Sequence, residues 1–175
     1  MEIASYSEQI AVRPTARLVE SDWYELAGGA LLCVVFILVV FTFRGYGISW
    51  DEHAQNTYGE HILSFYDTGF ADRTAVTPDD DTDDGNLPYY GGGFDLATAL
   101  INRVSPLGTY ETRHLLNGLV GLFGLFVTWR LACRVASDRA GLLALALLAT
   151  TPAYYGHMFI NPKDIPFAVA LMALL

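Results

Sequence analysis

Two adjacent carboxylates, Asp51 and Glu52, follow shortly after a long apolar run, in the segment Gly47-Ile48-Ser49-Trp50-Asp51-Glu52. A carboxylate at the start of a helix beside a membrane surface offers a lone pair that can take a proton from a hydroxyl or an amine, which is general-base chemistry. The same place also has a structural use. Ser49 and Glu52 have the spacing of a capping box, and acids in a first turn favour the helix dipole. On pattern alone both uses stay open. Further along, Arg113 and Lys163 stand at the ends of apolar runs, and Asp164 follows Lys163. Arg113, Lys163 and Asp51 fall on one side of a membrane at similar depth, and cations beside a carboxylate there suit a substrate that carries a phosphate. The ordinary alternatives are interfacial or snorkelling cations, and for Asp164 a helix cap ahead of Pro166.

Two patterns look like metal sites and fail on spacing. His53 and His61 are eight apart and do not form an HExxH pair. The run Asp79-Asp80-Asp81-Thr82-Asp83-Asp84-Gly85 misses the calcium-loop register: glycine falls at the sixth position only when Thr82 takes the third and no glutamate the twelfth. A solvated loop tip is the expectation there. Cys33 and Cys133 both lie in apolar stretches, which argues against a disulfide or a metal ligand.

The elements that must position these residues follow from where charge is missing. Of 175 residues 53% are hydrophobic, 17% are charged, and the charges avoid three long stretches. That segregation predicts an all-α, polytopic transmembrane protein. Residues 1–25 read as a cytoplasmic tail and 26–44 as a first transmembrane helix. Its eighteen charge-free residues, Leu26 to Phe43, span about 27 Å as helix. No small-residue cleavage site follows, so this run reads as a span rather than a leader. Residues 45–112 form an extracytoplasmic loop with surface helices, 113–134 a second span, 135–139 a cytoplasmic turn and 140–160 a third span. Residues 161–165 form a second extracytoplasmic turn, and 166–175 the start of a fourth helix, which reads as cut short.

The loop carries twelve acids against two arginines, so the net charge of −9 is concentrated there. No nucleic-acid partner is expected. A first surface helix opens at Ser49, with Ala54, Tyr58, Ile62, Phe65 and Tyr66 as an apolar stripe turned to the membrane and Glu52, His53, Asn56, Thr57 and Glu60 opposite. A second runs from about Asp95 to Val104. In the second span Gly118, Gly121 and Gly124 recur every third residue and predict a groove for close helix packing.

In order, these segments resemble the amino-terminal portion of GT-C class polyprenyl-phosphate-dependent glycosyltransferases, of the protein O-mannosyltransferase and aminoarabinose-transferase type. The resemblance rests on Gly47 to Glu52 after the first span and on Tyr110-Glu111-Thr112-Arg113-His114-Leu115-Leu116-Asn117 at the second. It rests also on His157-Met158-Phe159-Ile160-Asn161-Pro162-Lys163-Asp164-Ile165-Pro166-Phe167 between the third and fourth, and it covers roughly residues 26–175. It implies transfer of a sugar from a polyprenyl-phosphate carrier to a protein, lipid or glycan acceptor on the outer face of a cell membrane. Asp51 matches the catalytic aspartate of the first loop and Asp164 the acidic residue of the second. Glu52, Arg113, Lys163 and His157 would contact substrate. Some members use a divalent metal, and the sequence leaves the metal open. Two other readings compete. A transporter or channel subunit with an acidic vestibule lacks the expected acid inside a span, and a membrane-anchored interaction module would need only the loop surface.

Overall fold

In a computed structural model, residues 13–77 and 86–175 are described; residues 1–12 and the aspartate-rich run 79–84 lie outside them. Among the described residues the chain forms helices and no strand. These are α1 (Arg13–Thr42), α2 (Glu52–Asp67), α3 (Gly93–Asn102), α4 (Thr109–Val135), α5 (Asp138–Ala149), α6 (Pro152–Ile160) and α7 (Asp164–Ala173). Two segments, Trp23–Gly45 and Thr109–Val135, are long and apolar enough to cross a membrane. Their outward faces carry exposed Phe36, Ile37, Phe41, Phe123 and Phe126, as suits contact with lipid.

The polar stretch expected as a tail is helical from Arg13, continuous with the first apolar run. Pro14 falls in the first turn, where its missing N–H costs nothing. Polar contacts at both ends fix α1 and α4 as antiparallel neighbours. At one end Arg130 Nη1 meets Glu25 Oε1 at 2.5 Å; at the other Arg44, just past α1, lies 3.5 Å from Glu111. Arg139 of α5 adds a bond to the first end, its Nε donating to the Tyr24 hydroxyl at 2.6 Å.

The expected single helix over 140–160 is instead two, α5 and α6, bent by 64°. Pro152 is the cause. It has no N–H to continue the ladder and clashes with the carbonyl four residues back. The Leu148 carbonyl, four residues before Pro152, takes the Thr151 N–H at 3.2 Å, and the hydroxyls of Thr150 and Thr151 donate to the carbonyls of Ala146 and Leu147, each at 2.7 Å. The bend turns α6 back across α4, and the predicted glycine groove receives it. A Cβ at Gly121 would stand 2.5 Å from the Met158 Cβ, while Gly118 faces Val39 and Phe159. Around this contact lies the core: Val35, Val39, Phe43, Leu125, Trp129, Leu145, Met158, Phe159, Ile165 and Val169.

The loop helices pack on each other as well as on the bundle. The buried residues of α2 are Glu52, Gln55, Tyr58, Gly59 and Leu63; of the expected apolar stripe Tyr58 is buried, Ala54, Ile62 and Phe65 are half-buried and Tyr66 is exposed. Gly59 permits the close approach of α3, since a Cβ there would lie 2.6 Å from the Asp95 carbonyl. A helix face that begins with a buried glutamate needs a polar partner, and α4 supplies it.

Candidate functional site

The first turns of α4 carry the buried Thr112, Arg113, His114 and Asn117. Arg113 is 1% exposed. Its Nη2 donates to Asp95 Oδ1 at 2.6 Å and its Nη1 to the Thr98 hydroxyl at 2.9 Å, both on α3. Burial pushes the Asp95 carboxyl above its ordinary range, and the hydrogen bond and charge of Arg113 oppose that rise. The next residue grips the other loop helix. His114 Nε2 lies 2.9 Å from Glu52 Oε1, with both side chains buried. The two atoms meet as a close polar contact and not as a directional hydrogen bond.

Glu52 Oε2 accepts the Ser49 N–H at 2.7 Å, which is one half of the expected capping box. The other half is absent, because the Ser49 hydroxyl donates to the Ile160 carbonyl at 3.0 Å. The helix proper starts at Glu52, with Asp51 before it. The loop segment Ser49–Glu52 is thereby fastened both to α4 and to the end of α6. Nearby, His53 Nδ1 lies 3.1 Å from the Tyr110 hydroxyl at the start of α4.

Asp51, unlike Glu52, is exposed. It lines a cleft of about 170 Å³ with Ser49, Trp50, Gln55, His157, Ile160, Asn161 and Pro162. The far wall is the turn between α6 and α7. There the Asn161 amide donates to Asp164 Oδ2 at 3.0 Å and lies 3.3 Å from His157 Nδ1, while Asn161 Oδ1 accepts the Asp164 N–H at 3.0 Å. Asn117 of α4 reaches the His157 carbonyl at 3.4 Å. A second, more apolar cavity of about 490 Å³ lies beyond Pro162, with Tyr90, Phe94, Lys163, Asp164 and Phe167 in its wall. The Lys163 ammonium sits 3.3 Å from the centre of the Tyr90 ring, a cation–π contact.

Of the residues singled out in the sequence, Asp51 and His157 share the first cavity and Lys163 and Asp164 the second. Arg113 and Glu52 line neither of these cavities: the Arg113 guanidinium bonds Asp95 and Thr98, and the Glu52 carboxyl meets His114 and the Ser49 N–H. Both fasten the loop to α4. His114, Asp95, Thr98 and Gln55 were not singled out. The available signal was the pair Arg113-His114 itself, since two adjacent polar side chains buried at a helix start need polar partners.

Among the described residues no group of three or more His, Cys, Asp or Glu side chains is arranged to hold a metal ion. Comparison with protein families, with curated proteins and with solved structures returned no match.

Proposed function

We propose that this protein is a multi-pass membrane glycosyltransferase that moves a sugar from a polyprenyl-phosphate carrier to an acceptor hydroxyl or amine on the extracytoplasmic side of a cell membrane. One observation carries the reading. The exposed carboxylate of Asp51 opens on a cleft whose opposite wall is the α6–α7 turn, at the loop end of two helices apolar enough to span lipid. A base for a water-soluble acceptor and a route for a lipid-borne donor meet there.

In this reaction Asp51 takes the acceptor proton as the acceptor oxygen or nitrogen forms its bond to the anomeric carbon. The bond from that carbon to the carrier phosphate breaks on the opposite side, and polyprenyl phosphate departs with its electrons. The developing phosphate charge calls for a cation. Arg113 is committed to Asp95, so this part falls to Lys163, whose cavity adjoins the cleft across Pro162. Asp164 holds Asn161, and with it the wall bearing His157.

The test uses purified full-length protein in vesicles with sugar-bearing polyprenyl phosphates. Sugar transfer with release of polyprenyl phosphate is expected for one donor of the panel. No consumption of any donor, together with solute flux across the same vesicles, would replace this reading by a transport function.

A further inference from the structure

Asp51 keeps its place in the cleft with the help of two residues, Glu52 and His114, that do not line it. The tetrapeptide Ser49–Glu52 is held at three points. Glu52 Oε1 lies 2.9 Å from His114 Nε2, Glu52 Oε2 accepts the Ser49 N–H at 2.7 Å, and the Ser49 hydroxyl donates to the Ile160 carbonyl at 3.0 Å. Glu52 Oε1 and His114 Nε2 are both buried and make no hydrogen bond among the described residues, so the 2.9 Å contact between them is the polar contact that holds each. Without His114 the buried Glu52 oxygen would turn or seek water. Turning Glu52 would release the Ser49 N–H and with it the backbone that carries Asp51. His114 itself is clamped: it is 2% exposed, lies on the rigid α4, and its ring packs edge-on against Tyr46 at 6.5 Å.

We infer that His114 is a positioning residue, which through Glu52 fixes the Asp51 carboxylate against the α6–α7 turn. This rests on the reading of Asp51 as the base, but the geometric half stands without it. A group held by a buried pair on a rigid helix is kept in reacting geometry at no cost during the reaction.

The experiment compares two amides at position 114. Gln places its terminal nitrogen where the imidazole Nε2 stands, whereas Asn is shorter by one methylene and stops at the place of Nδ1. In full-length protein carrying D51C and H157C, with Cys33 and Cys133 replaced by Ala, the yield of a short bis-maleimide cross-link reports the geometry. H114Q should keep that yield, and H114N should lower it several-fold. In the transfer assay, with Asp51 intact, H114Q should stay within a few-fold of the parent. H114N should lose roughly ten- to a hundredfold in kcat, a rate loss of the size that a misplacement of about 1 Å produces, with little change in KM for the carrier. On an Asp51→Asn background H114N should cost nothing more, because the group it positions is gone. An unchanged cross-link in H114N, or losses that add on the Asp51→Asn background, would overturn the inference. If Asp51→Asn transfers sugar as well as the parent, Asp51 is not the base, and the cross-link alone decides whether His114 fixes its place.

Discussion

Asp51 and Glu52 are neighbours in the chain with opposite surroundings: Glu52 is fully buried against His114, and Asp51 is exposed on the cleft. The break in environment falls at the start of α2, where the backbone turns from loop to helix. Two acids that look alike in sequence thus divide the work. Glu52 anchors, and Asp51 is left open for chemistry. The consecutive pair Arg113 and His114 mirrors this division, holding α3 through Asp95 and α2 through Glu52.

The Arg113 clamp leads to a stability prediction. Arg113→Ala leaves the Asp95 carboxylate buried without its partner, which typically costs about 3–5 kcal/mol. Thermal unfolding should shift down markedly, and hydrogen exchange in α3 should rise before that in α4. Replacing Arg113 and Asp95 together by Leu should recover most of the loss. Equal exchange in α3 for Arg113→Ala and the parent would show that the ion pair does not hold this helix.

Much of this arrangement was legible in the sequence, and the limits have physical causes. The two long apolar helices stand out because each contains a long run without charge, and Glu52 does reach back to the Ser49 N–H. The glycines of α4 take up α6 as their spacing implied. The bend at Pro152 was hidden in a run judged by charge alone, since a proline in an apolar stretch leaves its composition unchanged. The burial of Glu52 was hidden for a different reason. A helix face is read by its apolar stripe, and α2 buries a polar edge because α4 offers it His114 and α3 offers a close backbone at Gly59. Likewise, nothing in the sequence of an interfacial arginine tells whether its partner is water, phosphate or Asp95. That depends on how α3 docks.

Acid should loosen the turn after α2. The Asp72 carboxylate accepts from the Thr74 hydroxyl at 2.6 Å, from the Ser64 hydroxyl at 2.7 Å and from the Thr74 N–H at 3.1 Å, and these bonds lower its pKa to about 2. A folded value below the unfolded one, about 3.9, means that the contribution is complete above that pH and is lost as the pH falls through about 2. Exchange protection of the Thr74 and Val76 amides should decline across this window, and Asp72→Asn should flatten the decline. A decline of equal size in Asp72→Asn would assign the acid response to another group.

In the proposed topology the antiparallel helices α1 and α4 both cross the membrane, and that sets the sidedness. Single cysteines at Thr77 and Ser137, in protein with Cys33 and Cys133 replaced by Ala, should react with an impermeant maleimide from opposite faces of the membrane. The Thr77 position should label from outside the cell. Labelling of both from one face would remove the topology and with it the proposed site.

The central claim is that Asp51 removes the acceptor proton. Asp51→Asn keeps the size of the side chain and discards the basic lone pair, so the full-length protein should lose roughly a hundredfold or more in transfer rate. Its unfolding temperature and its binding of the polyprenyl-phosphate donor should match the parent, because Asp51 is exposed and lies across Pro162 from Lys163. Glu52→Gln should do the reverse, lowering the unfolding temperature and reducing the rate less. Full transfer by Asp51→Asn with the same donor, at unchanged stability, would contradict the account.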